Sequence, residues 1–264
     1  MEIDFKRVTD EAIKWIHDWF EVNGPGCNAI IGESGGKDSL IVSKLCVEAL
    51  GKEKVIGVAM PDSLQGLNEA DKIAEYLGIH FLNIPIGRIT NEFHNFNPII
   101  NLSEQATQNI PPRVRMSMLY AIAQSMNGRV ACTCNLSEDF IGYSTLFGDS
   151  VGSFAPLSNL TVTEVLAVGR ELGLPKEWVD KAPDDGLPNS SPDEVKFGFT
   201  YATLDKYIRT GKCEDEQVKA KINERHDKNT FKSLIIRIPS YLPYFMRMPY
   251  VDQVLLYENK FQNK

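Results

Sequence analysis

The chain has 264 residues, 43% hydrophobic and 24% charged, which is enough to bury a sizeable core in one domain and too apolar for a disordered chain. A formal net charge of -7 excludes a broad, sequence-independent nucleic-acid surface. No apolar run approaches the ~20 residues of a membrane span, and no cationic segment with an apolar core marks a secretion signal, so a cytoplasmic protein with small-molecule substrates and neither nucleic acid nor membrane as partner is expected.

The elements follow in chain order. Over residues 10–22, Ala12, Ile13, Trp15, Ile16, Trp19 and Phe20 recur at helical spacing behind Thr9, Asp10 and Glu11, which suit a helix start. A strand is predicted near 27–31, a helix over 39–50 closed by Gly51, a strand over 54–60, a helix over 67–77 closed by Gly78, and a strand over 79–84. Glycine just past each helix is the expected left-handed stop. Strands alternating with helices give parallel βαβ units, so the fold class is α/β, a doubly wound parallel sheet flanked by helices, in a single domain over 1–264.

Between about 85 and 110 the pattern weakens into polar residues and prolines. A helix over Arg113–Met126 follows, ended by Asn127-Gly128, and then a fourth strand over Val130–Cys134. Residues 135–160, rich in glycine, serine and aromatics, form a candidate lid because the loop is too long for a simple connection. A helix at 162–172, an acid- and proline-rich loop at 183–195 and mixed-charge helices to about 228 complete the pattern, and the apolar tail after 230 carries no assigned element. The five cysteines are read as free buried thiols: they are odd in number, and Cys27, Cys132 and Cys134 fall in or beside strands.

The segment Gly32-Glu33-Ser34-Gly35-Gly36-Lys37-Asp38-Ser39 lies between the first strand and the next helix. Paired glycines let successive backbone N–H groups point into one concavity, Ser34 and Ser39 add hydroxyls, and the helix offers its positive end to an anion. A Walker A loop would need Gly-Lys-Ser/Thr, but Lys37 is followed by Asp38 and Ile31 occupies the leading glycine position. A dinucleotide fingerprint fails on spacing as well. A bound triphosphate needs a hard divalent cation held by carboxylate oxygens. Asp38 lies inside the cradle, and Glu138, four residues beyond the fourth strand, is placed to supply a second carboxylate or to be a solvated loop charge.

Ser-Gly-Gly-x-Asp-Ser resembles the loop of the ATP pyrophosphatases. The likeness narrows with Met60-Pro61 and Gln65, Pro112-Arg113-Val114-Arg115-Met116, Thr133 to Glu138, Gly142-Tyr143-Ser144-Thr145-Leu146-Phe147-Gly148-Asp149, Thr163-Glu164-Val165 and Pro183-Asp184-Asp185-Gly186-Leu187. Over residues 27–205 the chain is similar to the ammonia-dependent NAD synthetases. The resemblance implies an adenine nucleotide alpha-hydrolase-like fold and an ATP- and Mg2+-dependent ligase. Such an enzyme adenylates the carboxylate of nicotinic acid adenine dinucleotide (deamido-NAD), and free ammonia then displaces AMP to give NAD.

Carried over, Gly32, Glu33, Ser34, Gly35, Gly36, Lys37, Asp38, Ser39, Gln65, Thr133 and Asp184 would bind ATP, and Asp38 and Glu138 would hold Mg2+. Arg113, Leu146, Asp149 and Ser153 would meet deamido-NAD, with Asp38 and Asp149 in catalytic roles and a homodimer as the assembly. Asp149 is placed either to take a proton from incoming ammonium or to cap its own loop. Leu146 and Val162 stand where relatives carry lysine, Ser153 where they carry aspartate, and Asp184 replaces a small hydroxyl residue. These departures keep open a divergent relative that amidates a different carboxylate, and an ATP-binding relative without turnover.

Overall fold

The computed structural model describes residues 3–62, 67–95, 101–180, 192–235 and 238–246. Helix α1 (Phe5–Asn23) is capped by Asp4, whose side chain accepts from the Arg7 N–H at 3.0 Å. Val8, Ala12, Ile16 and Phe20 recur every four residues and form the buried stripe of this helix. Strand β1 (Asn28–Gly32), α2 (Lys37–Leu50), β2 (Val55–Ala59), α3 (Leu67–Leu77) and β3 (His80–Asn83) follow within a few residues of their predicted bounds. All four described strands are parallel, in the order β3-β2-β1-β4, with β4 at Gly128–Val130.

The sheet is covered on both faces. Ala29 and Ile31 join the core under α1, α2 and α8 (Val162–Glu171), whereas Ile30, Ile56 and Val58 pack with Val114, Ile122 and Ala123 of α6 (Ile110–Ser125). This alternation follows the strand period of two. Successive connections run one way from β1 through β2 to β3, and then cross to β4 on the other side of β1. The carboxyl ends of β1 and β4 therefore flank a topological switch point, where α/β sheets open a crevice for ligands.

Several expectations need correction. The polar stretch 85–110 holds two short helices, α4 (Gly87–Asn95) and α5 (Glu104–Gln108), the latter capped by Ser103. The fourth strand ends at Val130 and not at Cys134. Beyond Val130, Ala131 makes an isolated parallel bridge to Phe154, and the Cys132 N–H donates to the Phe154 carbonyl at 2.8 Å. Residues 135–160 are not a lid. They open with α7 (Leu136–Ile141), capped by Asn135, and then send Phe154, Ala155, Leu157 and Leu160 fully into the interior. Phe154 stacks on Trp19 with ring centroids 5.1 Å apart, an apolar anchor that a mobile flap cannot carry.

A third apolar cluster, Ile141, Val162, Phe197, Phe199, Tyr201, Leu204 and Ile222, joins α7 and α8 to α10 (Asp193–Phe197), α11 (Tyr201–Thr210) and α12 (Glu216–Ile235). Short α9 (Lys176–Val179) precedes them. In the tail, Tyr241 is buried beneath α1, and its hydroxyl donates to the Val8 carbonyl at 3.2 Å.

Candidate functional site

The loop after β1 is built by glycine geometry. Gly35 has φ +79°, and a Cβ there would stand 3.1 Å from Glu69 Cβ at the start of α3, so only glycine fits comfortably. Gly36 is the N-cap of α2 and brings no side-chain cap, leaving the first-turn N–H groups of the helix for an anion. The Gly36 N–H donates to Ser34 Oγ at 3.2 Å, and the Ser34 side chain is exposed.

Glu33 is turned inward. Its carboxylate, 2% exposed, accepts from Ser39 Oγ at 2.6 Å and Ser43 Oγ at 2.8 Å. Burial pushes its pKa up to about 7, against the lowering pull of those hydroxyls and the Gly35 N–H. Ser39 in turn accepts from the Ser34 N–H at 3.3 Å and lies 3.1 Å from Ser34 Oγ. Glu33 and Ser39, expected among the ATP contacts, thus spend their side chains bracing the loop from beneath. A signal for this exists in the sequence: the strand period carries positions 29, 31 and 33 to the α2 side, and Ser39 and Ser43 lie one helical turn apart.

The Lys37 ammonium lies 2.6 Å from Asp38 Oδ2, with the Lys37 side chain 6% exposed. Asp38 Oδ1 is buried and finds no hydrogen-bond partner among the described residues. Glu138, on α7, receives its helical position from Asn135, whose side chain accepts from the Glu138 N–H at 3.1 Å. Desolvation, and then the charge of Asp38, holds the Glu138 carboxyl well above the usual range, while Lys37 pulls it down. Burial alone would lower the Lys37 pKa, yet Asp38, Glu138 and Asp193 raise it overall. The charges of Asp38 and Glu138, on separate chain segments, therefore act on one another, and Asp38 keeps one buried oxygen unpartnered. That is a donor set for a hard divalent cation that takes its remaining ligands from phosphate and water. Among the described residues no cluster of three metal-ligating His, Cys, Asp or Glu side chains occurs.

Thr133 lies at the carboxyl end of β4, on the segment that leads to Glu138. The expected acid-substrate residues are only partly gathered. Arg113, exposed at the start of α6, donates from Nε to the Leu146 carbonyl at 3.3 Å. Asp149 Oδ1 accepts from the Thr145 N–H at 2.6 Å, so this aspartate caps the 145–149 turn, and its side chain still opens to solvent. The Ser153 backbone N–H donates to the Val130 carbonyl at 2.7 Å. The residue lines a cavity of about 530 Å³ with Tyr120, Gln124, Gly128 and Arg129, which no residue of the loop joins. Val162 is buried in the third cluster and has no charge to offer a phosphate. Gln65 and Asp184 lie outside the described residues.

Sequence reasoning missed three groups. Asp193 is buried and accepts from Tyr143 Oη at 2.9 Å and Tyr201 Oη at 3.4 Å, and its charge reaches Lys37. The Tyr201 hydroxyl, which donates to Asp193, is raised by burial and then by Glu138, Asp193 and Asp38. Lys232, on α12, donates to the carbonyls of Gly142 and Ser144 at 2.8 Å each and lowers Asp139, whose carboxyl is pushed up to about 7 by burial and then by Asp149.

A parallel sheet with helices on both faces, and a glycine loop at its switch point, defines an adenine nucleotide alpha-hydrolase-like domain. The profile of the family described as NAD synthase matches residues 8–238. The NH(3)-dependent NAD(+) synthetase of Thermococcus sibiricus is 39% identical over 78% of this chain and 81% of its own length. That of Carboxydothermus hydrogenoformans is 33% identical over 90% of this chain and 99% of its own. Among solved structures, the NMN synthetase of Francisella tularensis superimposes with a TM-score of 0.82 at 30% identity, covering 91% of this chain and all of that one. The NH3-dependent NAD synthetase of Campylobacter jejuni superimposes with a TM-score of 0.71 at 29% identity and the same coverage. The chain belongs to the NAD synthase family, a family of ligases.

Proposed function

We propose that the chain amidates a nicotinate carboxylate with ammonia in an ATP- and Mg2+-dependent reaction that passes through an acyl adenylate. The observation that carries this reading is Asp38 Oδ1, buried and unpartnered beside a helix N-terminus that no side chain caps. The backbone of Ser34–Ser39 and the Ser34 hydroxyl take the pyrophosphate portion of ATP, with Thr133 at the neighbouring strand end and with Gln65 and Asp184 as further ATP contacts. Asp38 and Glu138 would hold Mg2+, which supplies charge neutralisation between the phosphates.

Arg113 and the 145–149 turn hold the acid in line with the α-phosphate, and positioning of this kind needs no nucleophile from the protein. Attack of the carboxylate on the α-phosphate releases pyrophosphate. Ammonia, after its ammonium form yields a proton to Asp149, then displaces AMP to form the amide. The family pairing into homodimers is part of this reading.

Deamido-NAD, reached through Arg113, Leu146, Asp149 and Ser153, is the acid whose amide is NAD, the product for which the NH(3)-dependent NAD(+) synthetases are named. A second reading, nicotinic acid mononucleotide, is favoured by the better superposition of the Francisella NMN synthetase, TM-score 0.82 against 0.71 for the Campylobacter NAD synthetase. It also agrees with the absence of a cation at Leu146. Purified protein given ATP, Mg2+ and ammonium with each acid in turn should release AMP and amide in equal amounts, and the larger kcat/KM names the substrate. No amide from either acid would defeat the proposal. Asp38→Ala should abolish pyrophosphate release while the far-ultraviolet circular dichroism stays unchanged, and retained turnover would remove Asp38 from the metal site.

A further inference from the structure

Lys37 occupies a position that disfavours a cation twice over. It opens α2, where the helix dipole repels positive charge, and its side chain is almost wholly enclosed. Neighbouring side chains on a helix diverge, so residues one apart do not ordinarily face each other. A Lys37–Asp38 separation of 2.6 Å therefore means that the lysine stem bends across the start of the helix into the site instead of extending to solvent. Asp38 on α2 pairs with it directly, and the charges of Glu138 on α7 and Asp193 on α10 also favour its ammonium form. Lys37 binds one oxygen of Asp38 and leaves the other open.

We propose that Lys37 is a built-in counter-ion for the Asp38 and Glu138 carboxylates, so that a divalent cation binds tightly only together with the triphosphate. The inference rests on reading those two carboxylates as the metal site. Negative charge on Asp38 and Glu138 is mutually unfavourable, and before nucleotide arrives the Lys37 ammonium paired with Asp38 offsets it. A divalent cation alone must compete with the ammonium for Asp38. A triphosphate brings its own negative charge, which offers Lys37 another partner and the cation further oxygen ligands.

Mn2+ binding, followed by electron paramagnetic resonance of the free ion, tests this without turnover. The proteins are wild type, K37M, K37Q and D38N, each with and without a non-hydrolysable ATP analogue. In wild type, the analogue should tighten Mn2+ binding at least tenfold. Without it, K37M and K37Q should each bind one Mn2+ at least tenfold more tightly than wild type. Tight Mn2+ binding by wild type alone would overturn the proposal even if neither lysine variant folds, as would folded variants that bind no better than wild type. D38N separates the two layers. Nucleotide-dependent Mn2+ binding that survives in D38N defeats the metal-site reading itself, whereas its loss in D38N without a gain in the lysine variants defeats only the counter-ion.

Discussion

Glu33→Gln isolates the cost of a buried charge beneath the pyrophosphate loop. In the folded chain the Glu33 carboxyl titrates at about 7, against 4.5 for the ordinary group, because burial outweighs its hydrogen bonds to Ser39 and Ser43. A carboxyl raised on folding contributes stability that is fully present below the unfolded value and is lost as pH rises through the folded one. With each pKa unit equal to ~1.4 kcal/mol, wild type should lose about 2–3 kcal/mol relative to Glu33→Gln between pH 5 and pH 8. Glutamine keeps the shape and can still pair with both serine hydroxyls, so the difference reports ionisation and not a cavity. Urea unfolding of both proteins at pH 5, 6, 7 and 8 measures it, and the difference of the two curves cancels other titrating groups such as Asp139. A wild-type minus variant difference that is flat with pH, or that grows in favour of wild type as pH rises, would refute the account of Glu33 as a strained internal carboxylate.

Gly142 ends α7 in the left-handed conformation, φ +66°, and a Cβ there would lie 2.1 Å from Asn229 Cβ on α12. Gly142→Ala should therefore cost more than ~2 kcal/mol in urea unfolding, from backbone strain and overpacking together. Phe154→Ala removes a fully buried ring stacked on Trp19 and edge-to-face with Phe20 and should cost about 3–5 kcal/mol in the same assay. Lys232→Met deletes the two hydrogen bonds to the 142–144 carbonyls and should raise the Asp139 titration further above 7, as followed by carboxyl carbon NMR, since Lys232 is the group that lowers it. An unchanged Asp139 titration would show that Lys232 only props the loop.

The first half of the sheet is legible in the sequence because its signals are local. Gly51 and Gly78 stop their helices, and Ala29, Ile30 and Ile31 alternate between the two faces. The cradle is legible for the same reason, since Gly35 and Gly36 state a backbone geometry directly. Legibility fails where the decisive partner lies far along the chain. Val130–Cys134 reads as one apolar strand, but only its start joins β1, and from Ala131 onward the partner is Phe154. The 135–160 segment reads as a lid because glycine and serine dominate it, whereas Phe154, Leu157 and Leu160 anchor it to a core assembled by α1 and the sheet.

The site divides along the same line. Asp38 and Glu138 are found by their places at strand ends, which the βαβ pattern supplies. Asp193, Tyr201 and Lys232 come from the C-terminal helices, whose packing against α7 rests on Phe197, Leu204 and Ile222 and on no repeat that the sequence displays. The resemblance carries Glu33 and Lys37 over as ATP contacts. The Glu33 side chain turns beneath the loop and the Lys37 side chain is enclosed against Asp38, since the cradle is one residue removed from a buried strand on one side and is itself the first turn of a buried helix on the other. A phosphate loop of this kind has two faces. Its backbone addresses the ligand, and its charged side chains set the electrostatics of the floor that the ligand and its cation must displace.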